Sequence, residues 1–107
     1  MSIDPAKVRL EGDASGGRYV YAFEDGSEAE MEYVEQRPGV IAITHTGTPP
    51  QHRGQGVAAV LVEKAVQDFR GAGKKVIPAC GFAREQFGQN PDWADMLFGG
   101  GGEGGRG

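Results

Sequence analysis

The chain has 107 residues, with 15 acidic and 11 basic side chains and a formal charge of −4. That length holds one small domain and leaves no room for a second substrate lobe, and the acidic balance argues against nucleic-acid binding, which needs a basic surface. No apolar run approaches the roughly 20 residues of a membrane helix, the start MSIDPAKVRL has no signal-peptide core, and the lone Cys80 excludes an intrachain disulfide, so a soluble cytoplasmic protein is expected.

Val8–Glu11 is a short strand candidate. Arg18–Phe23 is rich in aromatic and β-branched residues, and Asp25-Gly26 follows as a hairpin turn with positive φ at its central residues. Glu28 to Tyr33 then alternates strictly, with Ala29, Met31 and Tyr33 on one face and glutamates on the other, as a half-buried antiparallel strand does. After a turn at Arg37-Pro38-Gly39, Val40–Thr46 is nearly continuously apolar, the pattern of a central strand covered on both faces. Pro49 and Pro50 end it, and QHRGQG leads into a helix with an apolar stripe at Val57, Leu61, Ala65 and Phe69, stopped at Gly71 and Gly73. Lys75–Pro78 is a short buried strand, Phe82–Gln89 a second helix broken at Asn90-Pro91, and Asp92–Leu97 one more turn capped by Asp92. Residues 99–107, GGGGEGGRG, are expected to be a flexible tail behind a domain at 1–98.

The fold expected is α/β in the α+β sense: a mixed sheet in which an antiparallel meander leads into a β-α-β crossover and a C-terminal helix. Charge is unevenly spread. Residues 11–35 carry eight acids and one base, whereas residues 51–75 carry five bases and two acids. The acidic run is most simply the solvated face of a strand; a cationic substrate on one side and an anionic cofactor on the other is the sharper alternative.

Gln51-His52-Arg53-Gly54-Gln55-Gly56 lies between a buried strand and the start of an amphipathic helix. The first N–H groups of a helix lack internal partners and sit at the positive end of its dipole, and glycines let a phosphate come close. The alternative is a tight left-handed turn that needs glycine only for steric reasons. The spacing is neither a P-loop nor the dinucleotide fingerprint. It fits the (Q/R)xxGx(G/A) signature, and the chain resembles the GCN5-related N-acetyltransferases. HTGTPPQHRGQGVAAVLVEKAV followed by VIPACGFAREQFGQNPDWADML is similar to the minimal, single-domain YjdJ-like subfamily over residues 8–98.

The resemblance implies acetyl-CoA as cosubstrate, no metal, and an amine acceptor. It gives Gln51, His52, Arg53, Gly54, Gln55, Gly56, Val57 and Ala58 the cofactor's pyrophosphate, with Arg53 adding a charge-assisted contact. The backbone of Ile43, Thr44, His45 and Thr46 would pair with the pantetheine arm, where the strands at 40–46 and 75–78 part around the acyl group.

Acetyl transfer to an amine requires that the amine lose a proton, that an oxyanion be stabilised and that the thiolate be protonated. His45, at the strand end, has the pKa range of a general base or caps the strand as a structural residue. His52, inside the turn, reads as a surface residue or a phosphate neighbour rather than a catalyst. Cys80, at the position where the family carries a cysteine, is a general acid, a nucleophile that takes the acetyl group as a thioester, or a small core residue. The sequence departs from its relatives at Gln86, where many have a tyrosine acid, and at Gly47-Thr48, where many have Glu-Val. Phe82, Phe87, Trp93 and Leu97 read as core or cofactor-covering residues. The function expected is a monomeric, acetyl-CoA-dependent N-acetyltransferase acting on a small amine or a protein lysine or N-terminus. The alternatives are a non-catalytic acyl-CoA-binding module and an unrelated nucleotide-binding domain.

Overall fold

The computed structural model of the protein describes residues 3–99, so the expected tail, apart from Gly99, lies outside the described residues. The chain runs β1 (Arg9–Asp13), β2 (Gly16–Ala22), β3 (Glu28–Arg37), β4 (Val40–Gly47), helix α1 (Val57–Gly71), β5 (Lys75–Pro78) and helix α2 (Gly81–Gln89). Short 3₁₀ turns lie at Pro5–Lys7, Pro50–His52 and Pro91–Met96. The strands form one sheet in the order β1-β2-β3-β4-β5; the first four pair antiparallel and β5 joins β4 in parallel. The meander, the β-α-β crossover and the mixed sheet are therefore as expected.

The alternating pattern fixes which side chains enter the core. Tyr19 stands opposite Met31 and Tyr21 opposite Ala29, which puts all four, with Tyr33, on the covered face. Helix α1 lays Val57, Leu61, Ala65 and Phe69 on that face, and Tyr33 meets Phe69 edge to face with ring centroids 5.4 Å apart. Each aliphatic side chain buried there contributes about 1.5–3 kcal/mol. Ala83 and Phe87 of α2, with Trp93 and Met96 beyond it, join the same core. The other face carries Arg9, Glu11, Arg18, Glu28 and Glu30 in a chain of ion pairs 2.6–3.3 Å long. The acidic run is thus the solvated face of a sheet, and such exposed pairs contribute only about 0–1 kcal/mol each.

Three expectations are corrected. The Asp25-Gly26 hairpin does not have positive φ at both residues: among the described residues only glycines do, and here it is Gly26, at +90°. Phe23 N–H donates to Ser27 O and Gly26 N–H to Phe23 O, so the loop has three residues and Gly26 takes the left-handed position. Asp25 stays out of that region because its Oδ1 accepts both the N–H and the hydroxyl of Ser27.

Strand β4 is buried only over Val40–Ile43, while Thr44 and His45 are exposed. Strand β5 ends at Pro78 opposite Ile43. Just beyond, Glu32 faces His45 and Tyr33 faces Ile43, which leaves Thr44 as the extra residue of a bulge. Finally, Asp92 does not cap the last turn. Pro91 fixes the first position of that turn, so the residue before it, Asn90, is the boundary.

Candidate functional site

Helix α1 begins without a side-chain cap. Gly56, at φ +82°, is its N-cap residue, and the first turn contains no acidic residue. The Val60 N–H returns to Gly56 O, but the N–H groups of Val57, Ala58 and Ala59 precede the first intrahelical bond. These groups carry the positive end of the helix dipole, equivalent to roughly half an elementary charge. Gly54, at φ +87°, and Gly56 both adopt the left-handed backbone that side chains resist, and a Cβ at either would meet nothing within 4 Å. The two glycines therefore satisfy the conformation of the turn and also leave open space beside it.

That space is a cleft of about 610 Å³. One wall is the turn and the first residues of α1: His52, Arg53, Gly54, Gly56, Val57, Ala58 and Ala59. Thr46, Gly47 and Thr48, at the end of β4, form the second, and Phe82 and Gln86 of α2 the third. Of the residues expected to hold a cofactor, Thr46, His52, Arg53, Gly54, Gly56, Val57 and Ala58 line the cleft; Ile43, Thr44, His45, Gln51 and Gln55 do not. Ile43 is engaged elsewhere, since its carbonyl accepts the N–H groups of Ala79 and Cys80 at 3.0 and 3.2 Å. Beyond it, β4 has run past the end of β5, and the edge from Thr44 to Gly47 is the stretch free of that neighbour.

The turn is braced from outside. His52 Nε2 lies 2.9 Å from Asp25 Oδ2, and its ring stacks on Phe23 with centroids 3.6 Å apart and planes 3° from parallel. Gln51 Nε2 also reaches Asp25, at 3.4 Å, and Gln55 Nε2 reaches His52 Nδ1 at 3.3 Å. The Ser27 hydroxyl and N–H, with His52, hold the Asp25 carboxyl far below the usual carboxylate range.

The two proton-transfer candidates stand at the place where β4 and β5 part, and neither lines the cleft. Cys80 is the N-cap of α2, its sulfur accepting the Ala83 N–H at 3.4 Å while the side chain packs against the core. His45 lies on the open face of the sheet with its Nε2 3.6 Å from Glu30 Oε2. The same ring nitrogen would sit 3.2 Å from a Cβ at Gly47, so His45 borders a residue of the cleft rim. No group of three or more metal-ligating side chains occurs among the described residues.

Sequence reasoning placed Phe82 only as a cover or core residue and noted Gln86 only as a departure. Their spacing of one helical turn on α2 was the available sign that both face one way. Asp25 and Phe23 were not connected to the site at all.

The sequence model of the GCN5-related N-acetyl-transferase family matches residues 18–96. The solution structure of a GCN5-like protein from Staphylococcus aureus superposes with a TM-score of 0.66 at 24% identity, over 88% of this chain and 91% of that one. That likeness establishes the fold.

Proposed function

The chain belongs to the GCN5-related N-acetyltransferase family, whose reaction is acetyl transfer from acetyl-CoA, and we propose that it is a minimal member of the YjdJ-like type acting on a primary amine. The domain in this reading is 1–98, with 99–107 as a glycine-rich tail, and the protein works as a cytoplasmic monomer. No helix among the described residues is long and apolar enough to cross a membrane.

The observation that carries the reading is the uncapped N-terminus of α1 opening onto the cleft. Unpaired N–H groups, a positive dipole end and two glycines that leave room for close approach suit a pyrophosphate. Gln51 through Ala58 are the residues assigned to it, with Arg53 supplying a full charge. The backbone from Ile43 to Thr46 is assigned to the pantetheine arm. Because the Ile43 carbonyl is already bonded, the pairing falls on Thr44, His45 and Thr46.

Acetyl-CoA, when bound, supplies an activated thioester. His45 takes the amine proton, and Glu30 beside it steadies the imidazolium that results. The Cys80 sulfur accepts from Ala83 through a lone pair, which leaves its S–H to give a proton to the departing sulfur. Gln86 stands in the cleft as a neutral hydrogen-bonding group and cannot act as an acid. The amine approaches from the open face, where Glu11, Glu28, Glu30 and Glu32 outnumber Arg9 and Arg18 and favour a cation.

Mass spectrometry of a mixture of the protein, acetyl-CoA and a panel of amines tests the reading; acetylated amine formed at a catalytic rate is the expected result. A non-catalytic acyl-CoA-binding module is favoured by one observation, the position of both His45 and Cys80 outside the cleft lining. Stabilisation by acetyl-CoA but not by ATP or NAD, without product from any amine, would establish it.

A further inference from the structure

The first half of the glycine turn is tied to a hairpin on the far side of the sequence. Asp25 stands at the centre of that tie. Its Oδ1 accepts the Ser27 N–H at 2.9 Å and hydroxyl at 2.6 Å, which fixes the carboxylate within the hairpin. Its Oδ2 faces His52 Nε2 at 2.9 Å and Gln51 Nε2 at 3.4 Å, both from the turn. An ionised carboxylate only accepts, so the hydrogen of the His52 ring is on Nε2 and a neutral ring has Nδ1 free as an acceptor. Gln55 fills that vacancy by donating from Nε2 at 3.3 Å. The result leaves Gln55 Oε1 buried without a partner. A buried acceptor left unmade costs free energy, and the bond between Gln55 Nε2 and His52 Nδ1 offsets part of that cost. Phe23, itself buried, supports the imidazole from one side through the parallel stack.

Asp25, His52 and Gln55 therefore form one chain of hydrogen bonds that begins in the β2–β3 hairpin and ends one residue before the N-cap of α1. Gly54 and Gly56 lie beside it and are the most pliable positions of the turn. A flexible anion-binding loop loses conformational entropy on binding, and a brace that holds its bound shape beforehand reduces that cost.

We propose that Asp25 is a positioning residue for the cofactor turn: acting through His52, and supported by the Phe23 stack, it holds residues 52–56 in the conformation that receives the anion. The inference rests on the reading of that turn as the acetyl-CoA site.

Calorimetric titration with acetyl-CoA and steady-state kinetics test it on the full chain. Asp25→Ala and His52→Phe, which keeps the stack on Phe23 and loses the bond to Asp25, each raise Kd and KM for acetyl-CoA about tenfold, the loss of one charge-assisted hydrogen bond. In Asp25→Ala the kcat at saturating acetyl-CoA stays at the wild-type value, since Asp25 lies outside the cleft lining and touches no reacting atom. The double variant is no weaker than His52→Phe alone, because Asp25 acts through His52. Asp25→Asn, which keeps the shape of the hairpin residue, gives a loss in the same direction and covers the case in which Asp25→Ala does not fold. Wild-type affinity in the folded Asp25 variants, additive losses in the double variant, or a fall in kcat with KM unchanged would each overturn the proposal. If the wild type itself does not bind acetyl-CoA, the site reading fails. If it binds and Ala58→Glu abolishes binding while the Asp25 variants bind normally, only the brace fails.

Discussion

Helix α1 starts from Gly56, which has no side chain to offer the open N–H groups, whereas helix α2 starts from Cys80, whose sulfur takes the Ala83 N–H at 3.4 Å. The two ends lie in one core and follow two neighbouring strands, yet they use the same backbone groups differently. A side-chain cap stabilises a helix by about 0.5–2 kcal/mol. At α2 the protein takes that stabilisation for its own fold. At α1 it forgoes it, leaves the dipole end open to a cleft, and braces the turn with groups from another element. The comparison separates a helix N-terminus that can serve a ligand from one that serves the fold, and it does so by the fate of particular N–H groups.

The sharpest way to break the comparison is to place a carboxylate at the open end. Ala58 is the second residue of α1 and lines the cleft, at an unstrained helical position. Ala58→Glu puts a negative charge where the dipole favours one, so the free protein becomes more stable by about 0.3–1 kcal/mol. The same charge occupies the seat assigned to the pyrophosphate, and acetyl-CoA affinity falls by at least about a hundredfold, or roughly 2.7 kcal/mol. Thermal denaturation without ligand and calorimetric titration read the two effects, which have opposite signs. Normal affinity in this variant would show that the anion is held elsewhere.

At the closed end the question is whether capping is all that Cys80 does. Serine is a good N-cap residue, so Cys80→Ser keeps α2 in place, with stability within about 1 kcal/mol of the wild type. A serine hydroxyl is far too weak an acid to replace a thiol. If Cys80 protonates the leaving sulfur, kcat falls on the order of 10²–10⁴-fold while KM for acetyl-CoA stays put, because the lost interaction belongs to the transition state. Unimpaired turnover would leave Cys80 as a cap alone. An acetyl group that accumulates on Cys80 at a competent rate would make it a nucleophile instead.

The contrast between the two ends was only half legible in the sequence. The strand and helix periodicities were readable because they report burial directly: alternation at Ala29, Met31 and Tyr33, and the stripe from Val57 to Phe69, are what one covered face requires. The open end of α1 was readable in part, since a glycine-rich turn between a buried strand and an amphipathic helix suits an anion, although the same glycines also suit a tight left-handed turn on steric grounds alone. The thiol cap was not, because cysteine is a weak acceptor with little positional signature at helix ends. The brace was beyond reach for a different reason. Asp25 and His52 are 27 residues apart, and a local pattern shows that each lies in a turn without showing that the turns meet. The bulge at Thr44 was hidden likewise, since it depends on the register between β3 and β4 rather than on either strand alone.

The smallest effect expected is a difference in acid sensitivity between the two ends. Asp25, which ties the hairpin to the open turn, is held well below the usual carboxylate range by the Ser27 hydroxyl and N–H, with His52 adding to the effect. A carboxylate depressed in the folded state adds stability above its unfolded pKa of about 3.9. That contribution is lost only as pH falls through the folded value. The start of α2 has no acidic residue in its first turn and is capped by a thiol, which no carboxylate titration reaches directly. In an NMR titration through pH 4, where ordinary carboxylates titrate, the amides of Ser27 and residues 51–56 should show no step, and they should shift together below it. The amides of Cys80 and Ala83 should show no matching step. In Asp25→Asn the low-pH step at residues 51–56 should vanish while other carboxylate titrations persist. A step in residues 51–56 near pH 4 would mean that the Asp25 carboxylate is not held as the hairpin and His52 require, and the open end of α1 would then lack the brace that distinguishes it from the closed one.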